Sequence, residues 1–342
     1  MIKKIPYISV IVTAYNRQKY LPDALESLTK QKLAFNNFEI ILLANYYIDV
    51  PTVLQFQKEG GDIVIFKMEG DIGTFFKKAV EIARGEILCF LDDDDSFSFN
   101  KLEVVYNLFK NNDKIGFYSN YINVIDELGR PYKYKTKLGD IRKKRNRRQI
   151  IVNCKSNWKS IEQFTSYGGN SLNSTLSIRK SILEKYIDVL LYTKRTEDEI
   201  LFAIALDSGY NLLLNSSVLT NYRISSSSSS HVSSKYTVSL NKRCEVLEKE
   251  LDTFHNILNA DNLFKKEITK KYLESSFSFV YLLHSSVCSK LNQKYRTYWS
   301  SKLIVNLFHQ LSISILFLIL IFFISKINKE FAVKLYFVFR GY

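Results

Sequence analysis

Four apolar runs, each about one strand long, punctuate the first 92 positions: "YISVIVTAYN" (7–16), "FEIILLANYYID" (38–49), "DIVIFKM" (62–68) and "ILCFL" (87–91). A strand with one wet face alternates apolar and polar residues. These runs do not alternate, so both faces of each must be covered. Between them lie segments of helical spacing, "KYLPDALESLTKQ" (19–31) and "IGTFFKKAVEIARGE" (72–86). The pattern predicts an α/β domain, Rossmann-like, with a mostly parallel sheet and helices on both faces. Ligands of such sheets sit at the carboxyl ends of the strands.

The fourth run ends there in Asp92, Asp93, Asp94 and Asp95, within a chain whose net charge is +14. Two carboxylates about 4 Å apart repel by on the order of 1 kcal/mol in water and by more in a cleft, and a bridging divalent cation relieves the repulsion. Oxygen ligands of this kind favour Mg²⁺ or Mn²⁺, with phosphate oxygens and water completing the shell. An extended chain would turn Asp92 and Asp94 to one side and Asp93 and Asp95 to the other. Read alone, the quartet fits equally an acidic loop capping the next helix, "SFNKLEVVYNLFKNN" (98–112).

The quartet has company. "SVIVTAYNR", "YLPDALESLTKQ", "FEIILLANYYID" and "ARGEILCFLDDDDSF" occur in the order and spacing of the family 2 glycosyltransferases, which the chain resembles over about its first 100 residues. The resemblance implies a GT-A fold, a nucleotide-diphosphate sugar donor (UDP- or GDP-linked) and an Asp-x-Asp motif for the metal. By motif position, Thr13, Tyr15 and Asn16 would line the nucleotide pocket. Asp92 and Asp94 would be the Asp-x-Asp pair, with Asp94 the main metal ligand, Asp92 facing ribose and metal, and Asp93 beside them on the donor. Where the family carries two acids after the second strand this chain has Ala44 and Asn45, and Asp49 is the acid that survives. The Asn45 amide can still hydrogen-bond a base edge. Lys77 and Lys78 would reach the diphosphate as point charges.

Transfer with inversion needs a carboxylate to deprotonate the acceptor hydroxyl. The family draws it from a Glu-Asp pair roughly a hundred residues after the metal motif, which here falls in "KRTEDEILFAIALDSGYNLLL" (194–214). Asp198 is the expected base, with Glu197 beside it; Thr196 as cap and an acidic first turn would also satisfy plain helix capping. In "VLTNYRISSSSSSH" (218–231), Arg223 would contact the diphosphate and His231 the metal, although Ser225 occupies the family's usual histidine position. The six serines suggest a loop that orders over the donor. "YGGNSLNSTLSIRKSIL" (167–183) matches the place where relatives receive the acceptor.

The remaining features bear on location. No cleavable apolar core precedes the first strand. The four cysteines lie far apart without a CxxC pair, which indicates neither a zinc ribbon nor a dense disulfide frame and suits a reducing compartment. Residues 303–325, "LIVNLFHQLSISILFLILIFFIS", have about the length that crosses a bilayer, and Lys302, Lys326 and Lys329 bracket them. "RKKRNRR" (142–148) lacks an accompanying nucleic-acid module and reads as a patch for an anionic membrane surface.

The sequence therefore predicts a GT-A domain over 1–235, a helical region over 236–302, a transmembrane or membrane-embedded helix over 303–325 and a basic aromatic tail over 326–342. The expected activity is metal-dependent, inverting transfer of a hexose to a lipid-linked, glycan or glycoprotein acceptor. The catalytic domain would face the cytoplasm at a membrane, and no nucleic acid is expected as partner. Two rivals stand beside this reading. One is a catalytically inactive GT-A-like protein that binds membrane surfaces or nucleic acid, favoured by Ala44 and Asn45. The other is a nucleotidyltransferase, whose glycine-rich basic signature after the first strand is missing.

Overall fold

The computed structural model describes residues 5–15, 18–48, 51–132, 147–153, 155–224, 236–288 and 313–340. They fall into two compact units. The first comprises Met1–Tyr132, Asn146–Thr193 and Glu197–Ser225, and the second Lys133–Arg145, Lys194–Thr196 and Ser226–Tyr342.

The first unit begins in the order the apolar runs predict. Strands β1 (Ile8–Ala14), β2 (Phe38–Ala44), β3 (Asp62–Lys67) and β4 (Ile87–Asp92) alternate with helices α1 (Leu21–Thr29), α2 (Pro51–Lys58) and α3 (Ile72–Ile82). All four strands are parallel, in the spatial order β3-β2-β1-β4. The expectation of cover on both faces is corrected at β3, which lies at the sheet edge and leaves Val64 and Ile65 exposed. β1 and β2 are buried at every residue, the signature of a strand covered on both faces. α1 buries Leu21, Ala24, Leu25 and Leu28, a helical stripe whose leucines each contribute about 1.5–3 kcal/mol. Pro22 sits in its first turn, where a missing N–H costs nothing.

Beyond β4 come β5 (Ser96–Phe97), α4 (Lys101–Asn111), β6 (Ile115–Ile125), β7 (Ile150–Val152), α5 (Trp158–Ser166) and a 3₁₀ turn over Asn173–Thr175. β8 (Leu176–Arg179), α6 (Lys180–Lys185), α7 (Ile187–Leu190), α8 (Glu197–Ser208) and β9 (Asn211–Arg223) complete the unit. Here the expectation of a mostly parallel sheet is corrected to a mixed one. β8 runs antiparallel between β4 and β6, and β5 and β7 each pair antiparallel with β9. These inserted strands are two to four residues long, too short to carry a period that sequence reading can distinguish. α8 is buried over its whole run from Ile200 to Asp207, so its acidic first turn is carried by one of the most enclosed helices of the unit.

The described part of the second unit is helical: α9 (Tyr236–Asn259), α10 (Glu267–Val287), α11 (Ile313–Ile327) and α12 (Lys329–Arg340). One expectation changes here. Cys244 and Cys288, 44 positions apart, form a disulfide that ties α9 to the end of α10, whereas the scattered cysteines suit a reducing compartment. Spacing rules see neighbouring cysteines and miss a pair brought together by helix packing; Cys89 is buried and free. Of the helix predicted over 303–325, the described part is α11 from Ile313 onward. Among the described residues no helix is long and apolar enough to cross a membrane, and 303–312 lie outside them.

Candidate functional site

The carboxyl ends of β1, β2 and β4 meet through register: Thr13 stands beside Asp92, and Ala14 beside Ala44. The Thr13 hydroxyl donates to Asp92 Oδ1 at 3.4 Å, and the Asn45 N–H donates to the Ala14 carbonyl at 3.2 Å. Tyr15, just past β1, is 48% exposed and meets buried Phe75 edge to face, with ring centroids 6.2 Å apart. An exposed aromatic face and the half-buried Asn45 thus flank the acidic turn.

The quartet does not alternate as an extended chain would. β4 ends at Asp92 and the backbone turns, the Asp95 N–H closing back on the Asp92 carbonyl at 3.2 Å. The turn brings carboxylate oxygens of Asp92, Asp94 and Asp95 within 4.8 Å of one another. Asp93 is sent the other way, where its Oδ2 accepts the Tyr15 N–H at 3.0 Å and secures the exit of β1. Two expectations are corrected by this turn: Asp95 joins the carboxylate cluster, and Asp93 is a buried group that holds the Tyr15 N–H. Burial, then the charges of Asp94 and Asp92, push the Asp95 carboxyl well above the usual range. Its buried Oδ2 has no hydrogen-bond partner among the described residues. Three converging carboxylates, one with an orphaned oxygen, fit a hard divalent cation such as Mg²⁺ or Mn²⁺.

The Glu-Asp pair lies in the first turn of α8 and is reached through one short arc of chain. The Leu172 N–H donates to Asp198 Oδ2 at 2.8 Å, and Asn173 Nδ2 donates to Glu197 Oε1 at 2.7 Å. The next residue, Ser174, accepts the Asp92 N–H on its Oγ at 3.0 Å. Three consecutive residues therefore hold the dyad and the end of β4 in one frame. Leu172 has φ +71°, a left-handed conformation that a branched residue adopts only when its surroundings enforce it. Burial, then Glu197 and Glu199, raise the Asp198 carboxyl to about 8, the range of a general base at neutral pH.

The other predicted residues are placed as follows. Arg223 is 2% exposed, and its donors are engaged. Nε donates to the Asp94 carbonyl, one terminal nitrogen to the carbonyls of Asp126 and Glu127, and the other to Asp23 Oδ2 at 2.8 Å. Its N–H donates to Asp95 Oδ1 at 2.9 Å. The expectation that it contacts a diphosphate gives way to a buried clamp on the acidic turn. Lys77 pairs with Glu81 one helical turn on, at 3.8 Å, and Lys78 lies over the Phe66 ring. Asn16, Asp49 and His231 lie outside the described residues, as do the serines 225–230 and most of the basic run; Arg148 of that run lies over the Tyr167 ring at 5.9 Å.

Sequence reasoning missed Asp95 as a third ligand because it assumed a straight chain, and it missed the arc because "SLNST" reads as ordinary polar loop. The only signal was that the arc falls inside the stretch expected to receive an acceptor.

Comparison with known proteins bears on these features directly. Residues 9–166 match the model of glycosyl transferase family 2. An uncharacterized glycosyltransferase of Methanocaldococcus jannaschii is 32% identical over 142 residues, 39% of this chain and 49% of that protein. The glycosyltransferase GlyG of Streptococcus pneumoniae is 29% identical over 133 residues, 38% of this chain and 44% of that protein. The chain thus spans under half the length of these curated relatives. The crystal structure of residues 1–349 of S. aureus TarS superposes with a TM-score of 0.55 at 19% identity, covering 84% of this chain and 76% of that one. Related TarS structures hold UDP and UDP-GlcNAc. Over residues 9–166 the chain is therefore similar to glycosyl transferase family 2, within an α/β fold of the GT-A kind.

Proposed function

We propose that the first unit transfers a sugar, with inversion, from a nucleoside-diphosphate donor to a hydroxyl acceptor. The observation that carries this reading is the Leu172–Ser174 arc, which joins a carboxylate cluster suited to a divalent cation to a carboxylate with a raised pKa. Asp92, Asp94 and Asp95 would hold Mg²⁺ or Mn²⁺, which supplies positive charge to the departing diphosphate. Asp198 takes the proton of the acceptor hydroxyl, whose oxygen forms the new bond to the anomeric carbon. The bond from that carbon to the phosphate oxygen breaks, and its electron pair leaves with the nucleoside diphosphate. Glu197, anchored by Asn173, keeps a second negative charge beside Asp198 and raises its basicity. Tyr15 offers a face for the nucleobase, and Thr13 and Asn45 offer polar groups at its edge.

A UDP-linked donor is the first choice, because the structural neighbours named above were solved with UDP and UDP-GlcNAc. The acceptor is a lipid-linked or other glycan hydroxyl, met at the cytoplasmic face of a membrane where nucleotide sugars are available. Support for membrane association comes from Leu320, Phe323 and Ile327, exposed at helical spacing on α11, and from exposed Phe331 on α12. Calorimetry with a panel of nucleoside diphosphates, with and without Mn²⁺, tests the reading. Metal-dependent binding that Asp94→Ala weakens, with transfer abolished, is the expected result. Full transfer activity in Asp94→Ala would reject the assignment, and no binding of any nucleotide would favour an inactive relative.

A further inference from the structure

Lys101, the first residue of α4, is a fully buried cation with no part in the site as built so far. Its Nζ donates to the Ser174 carbonyl and, at 3.0 Å, to Thr220 Oγ1, and it stands 3.8 Å over the centroid of the Phe97 ring. Thr220 Oγ1 donates to the same Ser174 carbonyl at 2.8 Å and accepts Asn120 Nδ2 at 3.0 Å. One carbonyl is therefore gripped from two sides by groups on α4 and β9. Burying an ammonium costs several kcal/mol, and an apolar residue of similar length would fill the space at less expense. The cost shows in the group itself, since burial brings its pKa down to about 7.

The contact falls on the arc. Ser174 Oγ holds the end of β4, and the two residues before it hold Asp198 and Glu197. The left-handed conformation of Leu172 stores strain that the arc can keep only while it is fastened. We propose that Lys101 is a positioning residue of the transfer reaction: by fixing the Ser174 carbonyl it sets the spacing between the acid cluster and the base. The inference rests on the transferase reading and extends it to a residue outside the reacting groups.

The test compares Lys101→Met with Val105→Ala, a truncation of a buried residue one turn along the same helix, both in the full chain. In Lys101→Met, kcat falls about ten- to a hundredfold while KM for the donor changes by less than about threefold. The limb on which kcat rises with pH moves to higher pH, because Asp198 loses the Leu172 amide whose hydrogen bond favours its ionised form. Glu197 and Glu199, the other charges acting on Asp198, are unchanged; the variant also removes the Lys101 charge near Asp95, so the pH shift counts only together with the exchange at Leu172. Hydrogen exchange at the Leu172 amide quickens at least about tenfold. Val105→Ala moves none of the three. If Lys101→Met fails to fold, Thr220→Val loosens the same carbonyl and should give the same pattern at smaller size. Unchanged exchange at Leu172, or an equal loss of kcat in Val105→Ala, overturns the proposal. A wild-type chain without transferase activity would overturn the proposed function instead, and the exchange measurement would still judge Lys101.

Discussion

At the amino ends of the parallel strands Glu39 is buried to 1% exposure and its charge is answered by a guanidinium; at their carboxyl ends Asp95 is as deeply buried, Asp198 is half-buried, and burial and acidic neighbours raise the pKa of both. Glu39 accepts the Ser9 hydroxyl at 2.6 Å and the Arg84 N–H and Nε, each at 2.7 Å, and Arg84 also pairs with Asp62. Register places Ser9 beside Glu39 and Glu39 beside Asp62, so the cluster staples three strand starts. At the other end carboxylates face carboxylates: Asp92 and Asp94 beside Asp95, Glu197 and Glu199 beside Asp198. The same residue type is structural where a guanidinium pairs with it and chemically poised where acidic neighbours outweigh the cations nearby, as at Asp95 with Lys101 in reach. Function is therefore read from what a buried charge lacks as much as from what it touches.

That contrast can be broken first by Asp198→Asn. The neutral amide keeps its shape and loses the base, so transfer should fall by about 10²–10⁴ with donor binding retained. Wild-type turnover in this variant would move the base elsewhere. Glu39→Ala is the reciprocal change: unfolding free energy should drop by about 2–3 kcal/mol with kcat per folded molecule unchanged. The loss stays below the roughly 3–5 kcal/mol of a fully enclosed pair because the Arg84 side chain is 41% exposed. An activity loss larger than the stability loss explains would erase the distinction between the two ends.

Two pH measurements sharpen it further. With Asp198 near 8, kcat should rise about tenfold per pH unit below that value and level off above it. A flat profile from pH 6 to 9 would contradict the assignment. The same shift has a smaller signature in stability. A carboxyl whose folded pKa exceeds its unfolded value binds more protons folded, so stability falls as pH rises from about 4 to about 8. Denaturant titrations should show this fall in the wild type and a shallower one in Asp198→Asn.

Much of this was legible in the sequence, for a physical reason. Strands buried on both faces must be apolar throughout, so β1, β2 and β4 declared themselves, and with them the end of the sheet where ligands bind. The Glu-Asp pair was legible through the resemblance, which expects it roughly a hundred residues after the aspartates, because an acidic first turn by itself equally caps a helix. What could not be read depends on turns and on distant partners. The chirality of one turn after Asp92 decided which aspartates converge, and no periodicity encodes it. Arg223 looks in sequence like an exposed phosphate contact; its burial follows from carbonyls at 94, 126 and 127 that only the fold assembles. Lys101 sits in "NKLE", an unexceptional helix start, and its role rests on Ser174 and Thr220, 73 and 119 positions away.

The central claim is that the acid cluster and the dyad form one site around one cation, and Mn²⁺ titration followed by amide NMR of the full chain tests it most directly. Paramagnetic broadening should reach Leu172, Ser174 and Glu199 together with Asp93–Asp95, should vanish in Asp94→Ala, and should spare Ser9, Glu39 and Arg84. Broadening confined to the acidic turn, or persisting in Asp94→Ala, would contradict it.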